Sequence, residues 1–184
     1  MKLIARVKNI LLQPKAEWPQ IAAESATPQS IYLGYVAILA AIGPLAMLLR
    51  MSVVAALVQY IITLVVTFLL ALIVDALATT FGGEKNFVQS LKLIAYSYTV
   101  AWVAAIFLII PILGGIIALL AAIYAWYTFY LGVPVLKKCP PDKAVGYTIV
   151  VVICGILLGW VLAAFLLSMV IGGGALGMGA LGIR

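Results

Sequence analysis

Asp75 is the residue whose type and setting point most directly to chemistry. It is the one acid inside an apolar run, in a chain of 184 residues with only five Asp and Glu. Burying a carboxylate at the centre of a membrane helix costs about 2.5–3.5 kcal/mol on insertion scales, so an ionisable group there is a cation or proton site by default. Tyr96 and Tyr98 are its candidate hydrogen-bond partners. The competing reading is structural. Asp75 lies near the end of its run, close to the headgroups where the cost falls, and Lys85 or Lys92 would then pair with it. Its position favours the structural reading. The remaining chemical inventory is thin. The chain has no His, which removes the usual general base, the commonest metal ligand and any Ser-His or Cys-His pair. Cys139 and Cys154 lack CxxC spacing, and the mostly helical stretch between them sets them about 20 Å apart. A disulfide needs Cα atoms within roughly 7 Å, so two free thiols are expected. Gly82 and Gly83 permit a sharp turn with positive φ, but no strand precedes them, so they do not read as a phosphate loop. With no converging acid, base and nucleophile, neither an enzyme nor a cofactor is expected.

The elements that position these residues follow from composition. The chain is 67% hydrophobic and 9% charged, whereas soluble domains run near half apolar and a quarter charged. That excludes a soluble enzyme, a nucleic-acid-binding domain and a disordered chain. It leaves an all-α, polytopic membrane protein whose partner is the lipid bilayer. Crossing a core of about 30 Å takes roughly 20 apolar residues in a helix. Five stretches meet that length, at about 31–49, 53–80, 93–110, 113–131 and 147–171. Pro111 closes the third and leaves only a tight hairpin before the fourth. The organisation expected is a cytoplasmic interfacial segment over 1–30, a five-helix transmembrane domain over 31–171, and a flexible, Gly-rich external tail over 172–184. In that tail each glycine costs about 1 kcal/mol in a helix relative to Ala.

Cations set the orientation. Lys2, Arg6, Lys8 and Lys15 precede the first span, Lys85 and Lys92 follow the second, and Lys137, Lys138 and Lys143 follow the fourth. Only Arg50 and Arg184 fall on the other side. Cationic loops stay in the cytoplasm, so the N-terminus is expected inside and the C-terminus outside. Residues 1–13 place Leu3, Ile4, Val7, Ile10 and Leu11 on one helical face and Lys2, Arg6, Asn9 and Gln13 on the other. The expectation is a short amphipathic helix on the anionic inner leaflet, with Lys2, Arg6, Lys8 and Lys15 meeting lipid headgroups. The alternative is that the helix packs on the protein itself. Its longest apolar run, Ile10–Leu12, falls short of the roughly 7–15 residues of a secretory signal, so no cleavage is expected.

Two spans carry small residues at four-residue intervals, Gly114, Ala118 and Ala122 on one and Gly155, Gly159 and Ala163 on the other. Such stripes let helix backbones approach closely, either within the chain or between copies in a homo-oligomer. Tyr124, Trp126, Tyr127, Phe129 and Tyr130 cluster at the inner end of the fourth span and read as an interfacial aromatic anchor. Gly43-Pro44 marks a possible kink in the first span.

Three segments, QPKAEWPQIAAE, LATTFGGEKNFVQSLKLIAYSYTVAW and YLGVPVLKKCPPDKAVGYT, resemble the prokaryotic branch of the Yip-one family (Ypt/Rab-interacting membrane proteins). The resemblance covers roughly 8–170 and implies five spans, a cytoplasmic N-terminus and a place in the bacterial inner membrane. The chain departs from the pattern at Val100, where proline is expected after the Tyr-Ser-Tyr-Thr stretch, and this puts a helix break in span three in doubt. The eukaryotic branch acts in vesicle traffic with small GTPases, a role that the short N-terminal segment here does not support. Two functions stand. One is a non-enzymatic module that organises membrane partners or lipids through its basic face and small-residue surfaces. The other is a small oligomeric transporter or channel with Asp75 in the path.

Overall fold

A computed structural model describes residues 3–50 and 52–180, the side chains of 163 and 165–180 excepted. Among the described residues every regular element is helical. Two short helices, α1 (Leu3–Leu12) and α2 (Pro14–Ala23), precede five longer ones. These are α3 (Pro28–Met47), α4 (Val53–Leu77), α5 (Phe87–Ile109), α6 (Leu113–Leu136) and α7 (Pro141–Ala180). All five are long and apolar enough to cross a membrane; in α7 the qualifying portion is Pro141–Leu162.

Local chemistry explains most of the ends. Pro14, Pro28 and Pro141 each occupy a first helical turn, where the missing N–H is no loss and φ is already helical. Thr27 and Ser30 form a reciprocal capping box at the head of α3, and the Ser52 and Asn86 side chains accept from Ala55 N and Gln89 N at the heads of α4 and α5. Gly82, at φ +73°, ends the turn after α4. Two spans are irregular. In α3 the backbone widens into a π turn over Tyr32–Val36 and breaks before Ile42, and α5 tightens into a 3-10 stretch over Ala105–Ile109.

The five spans agree with the sequence in number and order, but several boundaries differ, among them the start of α7 at Pro141 rather than near 147. Helix α5 starts at Phe87 rather than near 93, because Asn86 caps it and the amphipathic lead-in is its first turns. Helix α6 continues through Pro134 to Leu136. The backbone of residues 172–180, expected as a flexible tail, is helical and continuous with α7. A helix already formed adds residues without a new nucleation step, which accommodates glycines that would not start one. Residues 181–184 of that tail lie outside the described residues.

Helix α2 packs on α6, α4 packs on α5 and α7, and the Gly-Pro half of α3 packs on the 3-10 end of α5. The most enclosed side chains, including Trp18, Ile21, Leu91, Leu93, Val133 and Tyr147, gather at the end of the bundle where α1, α2 and two interhelical loops meet. Elsewhere the spans turn outward with Leu57 and Ile61 of α4, Leu119 and Ile123 of α6, and Ile153 and Trp160 of α7. These are the surfaces that lipid covers, since only a helix satisfies its own backbone in hydrocarbon.

Candidate functional site

Two buried charge clusters hold that enclosed end together. The first centres on Lys137, just past the end of α6, whose side chain is fully buried. Its Nζ donates to Asp75 Oδ1 at 3.0 Å, Ser90 Oγ at 2.7 Å and Asn86 O at 3.2 Å. Asp75 Oδ1 also accepts from Asn86 N at 2.8 Å and Ser90 Oγ at 3.0 Å. One carboxylate therefore ties the end of α4 to the heads of α5 and of the α6–α7 loop. Burial pulls the Lys137 ammonium below the ordinary lysine value, and the hydrogen bond and charge of Asp75 work in the opposite direction.

The backbone around this pair is shaped to admit it. Glu84 N donates to Lys137 O at 2.8 Å, and a Cβ on Gly83 would lie 2.8 Å from that same carbonyl oxygen, so only glycine lets the two loops approach this closely. Cys139 Sγ donates to Phe81 O at 3.1 Å, and the Tyr147 hydroxyl donates to Val74 O while its ring stacks on Phe81 at 5.0 Å. Burial raises the Cys139 thiol above its ordinary value. A further ion pair, Lys138 with Glu84 at 2.8 Å, is largely exposed and so contributes little.

The second cluster seats α1 and α2. Buried Arg6 pairs with Glu17 and Glu24, Asn9 Nδ2 donates to Glu17 Oε2 at 3.0 Å, and the Arg6 guanidinium lies 5.5 Å from the centroid of the Tyr96 ring, within cation–π range. Lys92 Nζ donates to Ile21 O at 2.8 Å and Glu24 O at 2.6 Å. An ammonium on the last carbonyls of α2 satisfies groups that a helix end leaves open and complements its dipole. Trp18 Nε1 donates to Thr128 O at 3.1 Å, and its ring occupies the space over Gly132, where a Cβ would come within 2.7 Å. The Tyr124 hydroxyl donates to Leu11 O at 2.9 Å.

These contacts revise several expectations. Asp75 pairs with Lys137, not with Lys85, Lys92, Tyr96 or Tyr98. Lys85 is exposed, Lys92 serves α2, Tyr96 lies by Arg6, and Tyr98 sits beside Trp102. Arg6 does not reach lipid headgroups, because Glu17 and Glu24 draw it inward; Lys8 and Lys15 are exposed, and Lys2 lies outside the described residues. Helix α1 thus packs on the protein, the alternative raised from the sequence. Of the small-residue stripes, Gly114 is required where α6 leaves the hairpin, since a Cβ there would sit 2.2 Å from Phe107 O. Ala118 and Ala122 are only half-buried, and the face of α6 that packs inward runs instead through Ala121, Ala125, Thr128 and Gly132. On α7, Gly155 meets Leu70 in ordinary contact, Gly159 faces open space, and the side chain of Ala163 lies outside the described residues. Within the aromatic cluster Phe129 is buried, Tyr124, Trp126 and Tyr130 are half-buried and Tyr127 is exposed. Both cysteines are free.

Lys137 was read in the sequence only as a loop cation that sets orientation, and the bonding roles of Ser90, Asn86 and Glu17 went unread. The one local signal was Asn86, whose amide three residues before Gln89 N is a helix-start pattern. Among the described residues no group of three acids or cysteines is placed to hold a metal ion. Asp75 lines none of the cavities described in the bundle. No curated protein matches the chain, and no solved structure does. The sequence profile of the Yip1 domain matches residues 8–163, a stretch that runs from within α1 to the middle of α7 and contains the Asp75–Lys137 cluster and, Arg6 excepted, the second. On that match and on its five membrane-length helices, this multi-pass membrane protein belongs to the Yip1 domain family.

Proposed function

We propose that the protein is a non-enzymatic module of the bacterial cytoplasmic membrane that organises lipids or membrane-protein partners, with its N-terminus in the cytoplasm and its C-terminus outside. The observation that carries this reading is the fixed, outward-cationic face at the enclosed end of the bundle. Arg6, Lys92 and Lys137 are consumed by buried contacts, while Lys8, Lys15, Lys85 and Lys143 remain exposed around them. A rigid scaffold with cations on its rim suits an anionic lipid surface or an acidic partner segment, and its attraction weakens with salt over a Debye length of about 8 Å at physiological ionic strength. Nine cations distributed with the N-terminus and two loops, against two elsewhere, support the cytoplasmic placement.

Asp75 favours this reading over permeation. Its Oδ1 accepts three hydrogen bonds, one from the buried Lys137 ammonium, so its charge is already balanced by a fixed cation. The test uses the full chain reconstituted in liposomes and, separately, in nanodiscs. Under the module reading, K⁺, Na⁺ and H⁺ flux stays at the level of empty vesicles, and native mass measurement finds anionic lipid or further copies retained with the protein. Specific flux that Asp75→Asn reduces would overturn it in favour of a channel or transporter.

A further inference from the structure

A cavity of about 500 Å³ lies between α3, α4 and α5, away from both charge clusters. Its volume is in the range of small-molecule sites, about 300–1,000 Å³. None of its lining side chains is charged, and most are apolar. On one wall, however, α4 presents Gln59, Thr63 and Thr67 at four-residue spacing, a polar line on a helix that is otherwise almost wholly aliphatic. Residues four apart share a helical face. Polar side chains facing a cavity at membrane depth are functional candidates, because hydrocarbon gives them nothing to bond.

The two threonine hydroxyls already donate, Thr63 Oγ1 to Gln59 O at 2.9 Å and Thr67 Oγ1 to Thr63 O at 2.7 Å. What they offer an occupant is therefore acceptor lone pairs, while the Gln59 amide offers both donor and acceptor. The opposite wall is broken backbone. Pro44 lines the cavity and supplies no N–H to the carbonyl of Ala40, which lines it too. Gly43 lets α3 close on α5, since a Cβ there would lie 3.1 Å from Ala105 Cβ.

Depth and charge select the ligand. At 1.5 Å per residue, Gln59 sits about 9 Å inside the end of α4 that begins at Val53, and Thr67 about 21 Å inside. A phospholipid cannot bring its phosphate that deep into an uncharged pocket, because a bare anion there finds no counter-charge. A lipid whose head is a neutral hydroxyl can, with its chain running on past Leu70. We infer that this cavity binds an uncharged hydroxyl lipid of the diacylglycerol class, its free hydroxyl donating to one of the threonine oxygens, Thr63 or Thr67, and accepting from the Gln59 amide when at Thr63, with one acyl chain filling the apolar end.

The experiment uses the full chain in nanodiscs with a diacylglycerol carrying a photoreactive diazirine in one acyl chain, and adducts are located by peptide mass. Adducts should concentrate on α3, α4 and α5 peptides around the cavity and fall on addition of unlabelled diacylglycerol, but not of phosphatidylglycerol. The double variant Thr63→Val, Thr67→Val preserves shape, and Gln59→Leu removes the amide; each should reduce cavity labelling by about fivefold or more, the range expected for one or two lost hydrogen bonds. Labelling spread evenly over outward residues such as Leu119 and Ile123 would overturn the proposal, as would equal competition by phosphatidylglycerol. Adducts in the wild-type protein decide the matter even where a variant does not assemble.

Discussion

The pairing of Lys137 with Asp75 makes unequal predictions for its two halves. Replacing Asp75 by Asn leaves the Lys137 ammonium fully buried with neutral acceptors only, the amide oxygen, Ser90 Oγ and Asn86 O, and no counter-charge. Breaking a buried pair by removing one partner costs about 3–5 kcal/mol, because the charge left behind is uncompensated. Replacing Lys137 by Met leaves Asp75 better placed. Its side chain is 22% exposed and keeps the Asn86 N and Ser90 donors, so the cost should fall nearer 2 kcal/mol once solvent and those bonds are credited. The double variant Asp75→Leu, Lys137→Met removes both charges and should cost less than the sum of the singles. Cys139 is a reporter built into the same loop, two residues from Lys137 and 2% exposed. Its rate of maleimide labelling in the folded protein tracks local opening, and each 1.4 kcal/mol of lost stability is about tenfold in that equilibrium. Labelling should therefore accelerate by about a hundredfold or more in Asp75→Asn, by some tens of fold in Lys137→Met, and less than the product of these in the double. Rates in both singles within about threefold of the parent would refute the reasoning, since a buried pair of this geometry cannot be lost so cheaply.

Other outcomes follow from the same contacts. Gly83→Ala should lower the melting temperature, because its methyl meets Lys137 O at 2.8 Å and backbone cannot yield cheaply; overpacking of this kind costs about 1–3 kcal/mol, readable by a thermal scan in detergent. Trp18→Ala should free α1 and α2 from α6 at a cost of about 3–5 kcal/mol, seen as rapid protease cleavage near Pro14, whereas Lys15→Ala should leave the segment as resistant as the parent. In the intact protein at pH 7, Cys139 should label slowly, and because burial raises its thiol the rate should climb with pH to a midpoint above that of a free cysteine; a midpoint at or below the free value would contradict the burial of Cys139. Arg6→Met should loosen α1, measured as faster amide exchange over Leu3–Leu12, while Lys8→Met should not.

The five spans were legible because membrane length and apolarity are properties of a single stretch of sequence. A run of about 20 apolar residues needs no partner to be recognised. The charge clusters were not legible for the opposite reason. Lys137 and Asp75 are 62 positions apart, and Trp18 is 110 from the carbonyl it bonds, while spacing arguments reach only one or two helical turns. Arg6 shows the limit at shorter range. It was read on an outward polar face, but it is buried on the same side as Ile10, because the break at Pro14 folds α2 back on α1 and brings Glu17 beneath it. The small-residue stripes failed by one position on α6, since periodicity gives the repeat of a face and not its rotation toward a neighbour. The helical backbone of residues 172–180 was missed because glycine propensity was judged without the helix that precedes it.

The cup that receives Trp18 is made by Thr128 and Gly132 of α6, and the ammonium that closes α2 comes from α5. A chain made from its N-terminus therefore produces its lid long before the vessel. Until roughly two thirds of the polypeptide has emerged, α1 and α2 have no seat on the bundle and the tryptophan has no cover, so their docking is a closing act of assembly. Premature termination before α6 would strand this segment at the membrane surface with its indole unsheltered.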